Sequence, residues 1–354
     1  MHNAFAPAEN PFRICLAPMM DRTDMFFRVL TRLISPRVRL YSEMVTADAV
    51  NHGDRSRLLA RAECEAPVAL QLGGSDPNKL AEAAAHAEEA GFDEVNLNCG
   101  CPSDRVQSGA FGACLLADPL RVADCVAAMR DAVGIPVTVK TRIALDRATP
   151  ESMLWPFIER VAGSGCETFI IHARPAWLEG LSPKENREVP PLDYEVVARL
   201  KADFPKLTIA LNGGIQTAQE MAQHLARFDG VMLGRAAYDT PWVFAEFDRL
   251  EGVDGPDRAD VLAAYAEFAK PFLMRGVPPR AVLRHVLGMY TGAPGARAFR
   301  RRITEALAGP LKADPARGQA LAEASIRCLL DATSEIEQGI ADRRARMVTL
   351  SRTQ

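Results

Sequence analysis

Residues 208–236 read TIALNGGIQTAQEMAQHLARFDGVMLGRA, and the order of residue types in this stretch decides the fold. Thr208–Leu211 is apolar and rich in strand formers. It breaks at Asn212-Gly213-Gly214, passes at Thr217–Arg227 into apolar residues at helical spacing, and returns to an apolar run at Gly230–Ala236. A run that starts continuously apolar, without polar alternation, is what a parallel strand buried on both faces requires.

Outward from this unit the same order recurs. Further apolar runs lie at Ile14–Met20, Val38–Val45, Val68–Gly74, Glu94–Gly100, Val137–Ile143 and Thr168–Arg174, which makes eight with the two above. Between them the pattern predicts helices at Lys79–Ala90, Pro119–Val133, Glu151–Ala162 and Asp193–Asp203. Asp76-Pro77 is a good helix start, and Gly91, Gly134 and Gly163 punctuate helix ends. Eight β-then-α units in about 240 residues is the arithmetic of a TIM (β/α)8 barrel. A doubly wound sheet of this length would usually carry fewer strands.

After Trp242 the pattern changes to helical spacing broken by Pro271, Pro278-Pro279, Gly292–Gly295 and Gly309-Pro310. The expected division is a barrel over 1–250, a linker at Leu250–Pro256, a small all-α helical domain over 256–338 and a flexible tail over 339–354. With 354 residues, 48% apolar and 25% charged, the chain can bury a core and is too large for one small domain. No apolar run approaches the ~20 residues of a membrane span. The N-terminal MHNAFAPAENPFR shows no signal-peptide pattern. Eight cysteines without a CxxC pair or zinc spacing predict no metal site and mostly buried thiols in a reducing cytoplasm. A net charge of −3 argues mildly against a nucleic-acid binder over the whole surface.

A barrel places functional residues at the C-terminal ends of its strands. Polar residues cluster there: Met19-Met20-Asp21, Glu43, Gln71, Asn96 and Asn98, Lys140 and Arg142, His172 and Arg174, Asn212-Gly213-Gly214, Gly234-Arg235. No GxGxxG follows a strand and no GxxxxGK[ST] exists, so neither a Rossmann nicotinamide site nor a P-loop is expected. The glycines after the last two strands suit a phosphate site, with Arg235 adding charge, although Gly213-Gly214 reads equally as a tight βα turn. Lys140 at a strand end is costly to bury without a partner. It fits the negative charge near N1 of a reduced flavin, and a barrel carboxylate such as Glu43 is a compatible partner. The Gln71 amide can serve the flavin's pyrimidine edge. His172 reads either as a site residue or as a satisfied core histidine.

At the fourth run, Asn96-Leu97-Asn98-Cys99-Gly100-Cys101-Pro102-Ser103, alternation puts Asn96 and Asn98 on one face and Cys99 on the other. Cys101 falls on the loop over the barrel mouth and is the better candidate for a reacting thiol that donates a proton.

The segments APMMDRTD (17–24), LYSEMV (40–45), ALQLGGSDP (69–77), NLNCGCPSDRVQSGAFGACL (96–115), VTVKTRI (137–143), FIIHAR (169–174), LSPKENREVPPLDY (181–194), LNGGI (211–215) and GRAAY (234–238) together resemble the tRNA-dihydrouridine synthases, closest to subfamily A. The match runs in order from about residue 14 to at least residue 302. The resemblance implies FMN at the barrel mouth, held by Pro18, Met19, Met20, Gln71, Lys140, His172, Asn212, Gly213, Gly214, Gly234 and Arg235. It implies NADPH as reductant, hydride delivery to C6 of a tRNA uridine at D-loop positions 20 and 20a, and Cys101 as the proton donor to C5. Asn98 would hold the uracil. Cys99 departs from the apolar residue usual at its position. Such chemistry also requires the base to leave its stack.

Between Lys270 and Arg302 stand eight Lys or Arg residues and no Asp or Glu. A local excess of this kind resembles a phosphate-binding surface, or else a merely basic helix pair. The resemblance carries Lys184, Arg187, Arg297 and Arg300 over as tRNA contacts. The competing readings are a barrel flavoprotein acting on a small molecule and an RNA-binding protein with vestigial catalysis. The oligomeric expectation is a monomer.

Overall fold

The computed structural model describes residues 10–103, 109–307 and 318–351. Residues 1–9, 104–108 of the cysteine motif, the expected break at Gly309-Pro310 and residues 352–354 of the tail lie outside the described residues.

All eight apolar runs become parallel strands: β1 Ile14–Leu16, β2 Leu40–Thr46, β3 Val68–Gly73, β4 Glu94–Cys99, β5 Val137–Arg142, β6 Thr168–His172, β7 Thr208–Asn212 and β8 Gly230–Leu233. They form one sheet in the order β1-β8-β7-β6-β5-β4-β3-β2. The bridge between Cys15 and Arg39 brings the two end strands together: the Leu16 N–H donates to Arg39 O at 2.9 Å and the Arg39 N–H to Ile14 O at 2.8 Å. Inside the ring, Phe12, Cys15, Ala17, Tyr41, Ala69, Ile170, Ala210 and Met232 form a buried cluster.

The helices start where their caps dictate. Asp76 accepts the N–H groups of Asn78 and Lys79 and opens Pro77–Glu89. Asp118 accepts from Arg121 and opens Pro119–Ala132. Asp193 accepts from Val196 and opens Tyr194–Asp203, and Thr217 with Glu220 forms a capping box for Ala218–Leu225. Each cap sits just past a βα loop, so capping fixes where each loop ends.

Contacts divide the chain into one unit of Met1–Arg28 with Arg37–Gly234 and a second of Val29–Pro36 with Arg235–Gln354. This boundary falls at the end of β8, ahead of the linker expected at Leu250–Pro256. The second unit is helical, with Arg235–Asp239, Val243–Leu250, Arg258–Met274, Pro279–Leu283, Ala296–Leu307 and Gly318–Ser351 as its main α-helical segments. The last of these runs unbroken through 339–351, where the composition suggests a frayed tail. Its exposed face is self-supporting across that point, since Gln338 Nε2 donates to Asp342 Oδ1 at 2.8 Å, four residues on. No helix among the described residues is long and apolar enough to cross a membrane.

Candidate active site

Strand alternation puts Glu94, Asn96 and Asn98 of β4 on one face, rising from the bottom of the barrel to its mouth. Register sets Asn96 beside Gln71 of β3 and Thr138 of β5, and Asn98 beside Lys140. Their side chains are joined. Asn96 Nδ2 donates to Thr138 Oγ1 at 2.8 Å, Gln71 Nε2 to Asn96 Oδ1 at 2.7 Å, and Asn98 Nδ2 to Gln71 Oε1 at 2.8 Å. All four residues are buried, and buried amides are tolerated only when bonded in this way.

Asn98 also shapes the loop above it. Its Oδ1 accepts the N–H groups of Gly100 at 3.1 Å and Cys101 at 3.0 Å, a local side-chain turn that bends the chain out of β4. Cys101 is thereby carried past the strand end and remains half-buried, with Sγ 3.4 Å from Ser103 Oγ. Cys99 is fully buried, and burial pushes its thiol well above the usual range. With Oδ1 committed to the loop and one N–H to Gln71, Asn98 keeps a single N–H with which to reach a substrate.

Lys140 does not pair with Glu43. Its Nζ donates to Asn212 Oδ1 at 3.0 Å, while Asn212 Nδ2 donates to Met232 O at 2.7 Å and so ties β7 to β8. Glu43 instead accepts the Asp21 N–H, and burial raises its carboxyl. Burial pushes the Lys140 ammonium down to about 7, and the charges of Arg142 and Arg187 add to this, with the Cys101 thiol acting the other way. Burial, then Arg142, Lys140, Arg174 and Arg187, hold the His172 imidazole well below its usual range, so it is neutral at pH 7. Burial, then Arg187 and Arg174, lower Arg142 to about 10, again with Cys101 opposing. A mouth in which cations press on one another is an electrostatic site for an anion.

The β7 turn has glycine at two left-handed positions, Gly213 at φ 114° and Gly214 at φ 77°. A Cβ at Gly213 would lie 2.7 Å from His172 Cδ2, and one at Gly214 would lie 2.6 Å from Tyr194 Oη. The Tyr194 hydroxyl donates to Gly213 O at 2.8 Å. His172 therefore packs on bare backbone, and no side chain can intrude between it and the turn.

Pro18, Met19 and Met20 follow β1. The Met19 N–H donates to Thr23 Oγ1 at 2.9 Å, and Met20 is 58% exposed. Gly234 follows β8, where a Cβ would rest 3.7 Å from Ala17 Cβ and 3.9 Å from Met19 Sδ. Arg235 is the first residue of the helix Arg235–Asp239, which belongs with the second unit. Lys184 and Arg187, both exposed, flank the short turn on the loop after β6. Arg297 and Arg300 are exposed on the helix Ala296–Leu307, with no ion-pair partner among the described residues.

One residue shows in the sequence as a polar strand end without a role of its own. Arg142 is only 3% exposed; its Nε donates to Gly100 O at 3.1 Å and its Nη1 to Asn186 O at 3.0 Å and Pro175 O at 3.2 Å. Its planar fork clamps the cysteine loop to the loop that carries Lys184 and Arg187. Asn186 in turn is locked by Trp177, giving and receiving backbone hydrogen bonds of 2.8 Å.

Buried amides, a cation cluster and a loop thiol converging at the C-terminal end of an eight-stranded parallel barrel define a barrel enzyme. The dihydrouridine synthase family model matches residues 15–324, and the chain belongs to that family. It is 53% identical over 300 residues to the tRNA-dihydrouridine(20/20a) synthase of Salmonella typhimurium, covering 83% of this chain and 90% of the relative. It is 50% identical over 308 residues to the enzyme of the same name from Synechocystis sp., covering 85% and 92%. Among solved structures, morphinone reductase matches with a TM-score of 0.50 at 15% identity, covering 70% of this chain and 88% of that one, which is a likeness of fold. Family membership makes the chain an oxidoreductase acting on a CH–CH bond and a user of flavin.

Proposed function

We propose that this chain reduces uridines of tRNA at D-loop positions 20 and 20a to 5,6-dihydrouridine, with FMN as its flavin and NADPH as reductant. The observation that carries this reading is the half-buried Cys101 thiol, held at the mouth by Asn98 and Arg142 beside the Lys140–His172 cluster. The residues fit such a cofactor: the cation cluster of Lys140, Arg142 and Arg187 suits an anionic ring, and the glycine turn lets His172 pack directly on its backbone at the barrel mouth. When bound, reduced FMN supplies the hydride that C6 of the uracil receives. The chain's own part is to complete the reduction at C5. Cys101 Sγ–H gives its proton to C5, the C5=C6 double bond becomes a single bond, and the thiolate is reprotonated from solvent.

Lys140, Gln71, His172, Asn212, Gly213, Gly214, Gly234, Arg235, Pro18, Met19 and Met20 would hold the flavin, and Asn98 would offer its remaining N–H to the uracil. Lys184, Arg187, Arg297 and Arg300 are exposed cations and would meet tRNA phosphates. The enzyme would work as a cytoplasmic monomer.

Mapping dihydrouridine in tRNA from a strain lacking this chain tests the reading. Loss at positions 20 and 20a supports it. Unchanged tRNA, or reduction of free uracil compounds by the purified protein as fast as of tRNA, overturns it. An Arg297→Ala, Arg300→Ala double variant should bind tRNA more weakly. The slope of log affinity against log salt should fall by about one for each phosphate left without its arginine. Its flavin absorbance should equal that of the parent.

A further inference from the structure

The polar side chains of the barrel interior form one directed chain. At its bottom Glu94, fully buried, accepts from the Arg39 guanidinium, from the Tyr41 hydroxyl at 2.9 Å and from the Thr138 hydroxyl. A carboxylate in this role only accepts, so Thr138 must spend its single proton downward. Its oxygen can then only accept from above, and it takes the Asn96 N–H. Asn96 must therefore turn its carbonyl to Gln71, and Gln71 its carbonyl to Asn98. Asn98 is left with its carbonyl facing the loop, where Gly100 and Cys101 offer N–H groups, which only donate.

The two ends agree. An acceptor-only group at the bottom and donor-only groups at the top impose the same orientation on all three amides. Turning any one of them would set oxygen against oxygen or N–H against N–H at both its neighbours. An apolar filling would serve stability equally well, because buried ion pairs seldom add to it. What the polar chain adds is orientation, and its top link ends on the backbone of the reacting residue.

We infer that Glu94, Thr138 and Asn96 are positioning residues: through the Gln71 and Asn98 amides they fix which polar atoms face the mouth and hold the Cys101 loop in place. The catalytic consequence rests on the proposed role of Cys101, but the loop geometry does not. Thr138→Val keeps the side chain's shape and cuts the chain in the middle. In the apo-protein, hydrogen exchange at the Gly100 and Cys101 amides should rise about tenfold. Alkylation of Cys101 by iodoacetamide, read by peptide mass spectrometry against the exposed Cys64, should change in rate. Thr138→Ser should restore both. In the loaded enzyme, kcat should fall by about 10- to 100-fold with KM for tRNA unchanged.

Exchange and alkylation at parental rates in a folded Thr138→Val protein would overturn the inference, as would failure of Thr138→Ser to restore them. Should Thr138→Val not fold, Asn96→Asp, of the same size but lacking the donor to Thr138, gives the same comparison. An active Cys101→Ala enzyme would sink the proton-donor role alone, because exchange at Gly100 and at residue 101 reads the integrity of the polar chain without any catalysis.

Discussion

Cys101→Ala should lower dihydrouridine formation by roughly 10²- to 10⁴-fold, the usual worth of a positioned general acid, while the protein stays yellow and still binds tRNA. The loss should lie in the step after flavin reduction. Pre-reduced enzyme mixed with tRNA in a single turnover isolates that step, and flavin reduction by NADPH alone should keep its parental rate. The prediction is sharp because each other thiol is placed differently. Cys15, Cys99, Cys125 and Cys166 are buried, and Cys64 is exposed. Cys114 and Cys328, half-buried like Cys101, point at backbone carbonyls, Cys114 Sγ donating to Phe111 O at 3.0 Å and Cys328 Sγ to Arg302 O at 3.9 Å. Cys99, two residues away, faces the opposite side of β4 with its thiol raised by burial, so it cannot stand in for Cys101. Cys101→Ser should recover little, because a hydroxyl parts with its proton far less readily than a thiol. A Cys101→Ala enzyme within about threefold of the parent would remove the thiol from the reaction and return the proton to solvent or to a neighbouring cation.

The eight strands are legible in the sequence because several runs are continuously apolar at their start, as parallel strands buried on both faces are, and because the run-loop-helix order repeats eight times. The mouth is legible because alternation leaves polar residues just where those runs end. Side-chain partnership is not, because it depends on register between strands far apart in sequence. Lys140 finds Asn212, 72 residues away, and not Glu43. Gln71 and Asn98 each look like ligand hooks in the sequence, yet both give most of their bonding capacity to the barrel. Arg142 shows only as a charge at a strand end. Its three carbonyl partners come from two separate loops, and carbonyls leave no mark in a sequence. The acid-free stretch from Lys270 to Arg302 is likewise partly neutralised in space. Arg302 pairs with Asp331 and Glu335, which lie on the next helix. Arg297 and Arg300 therefore carry the phosphate reading for their helix better than Arg301 and Arg302.

Flavin binding to the apo-protein should weaken as pH rises above about 7, and Lys140→Met should remove that dependence. Lys140 titrates near 7 in the cation-crowded mouth because burial, then Arg142 and Arg187, oppose its charge. A ligand bearing negative charge favours the protonated lysine and raises its pKa in the complex. The favourable contact is thus fully present below about 7, where Lys140 is already charged. Above that point binding must also take up a proton, and affinity falls by at most tenfold per pH unit until the pKa of the complex is reached. His172 adds no opposing trend, since it is neutral on both sides of this window. The phosphate group's own second ionisation, near pH 6, lies below the window. Riboflavin lacks the phosphate and its oxidised ring is uncharged, so a slope seen with FMN alone belongs to the phosphate, and a slope seen with both belongs to hydrogen bonds that the ring accepts from the Lys140 ammonium. Fluorescence titration of FMN and riboflavin between pH 6 and 9 reads both, with Lys140→Met expected to bind about 10- to 100-fold more weakly at pH 6 and with no slope. Affinity that stays flat or rises with pH in the parent would mean that Lys140 serves only to hold Asn212, and the anion would then have to be met by Arg142 or Arg187 instead.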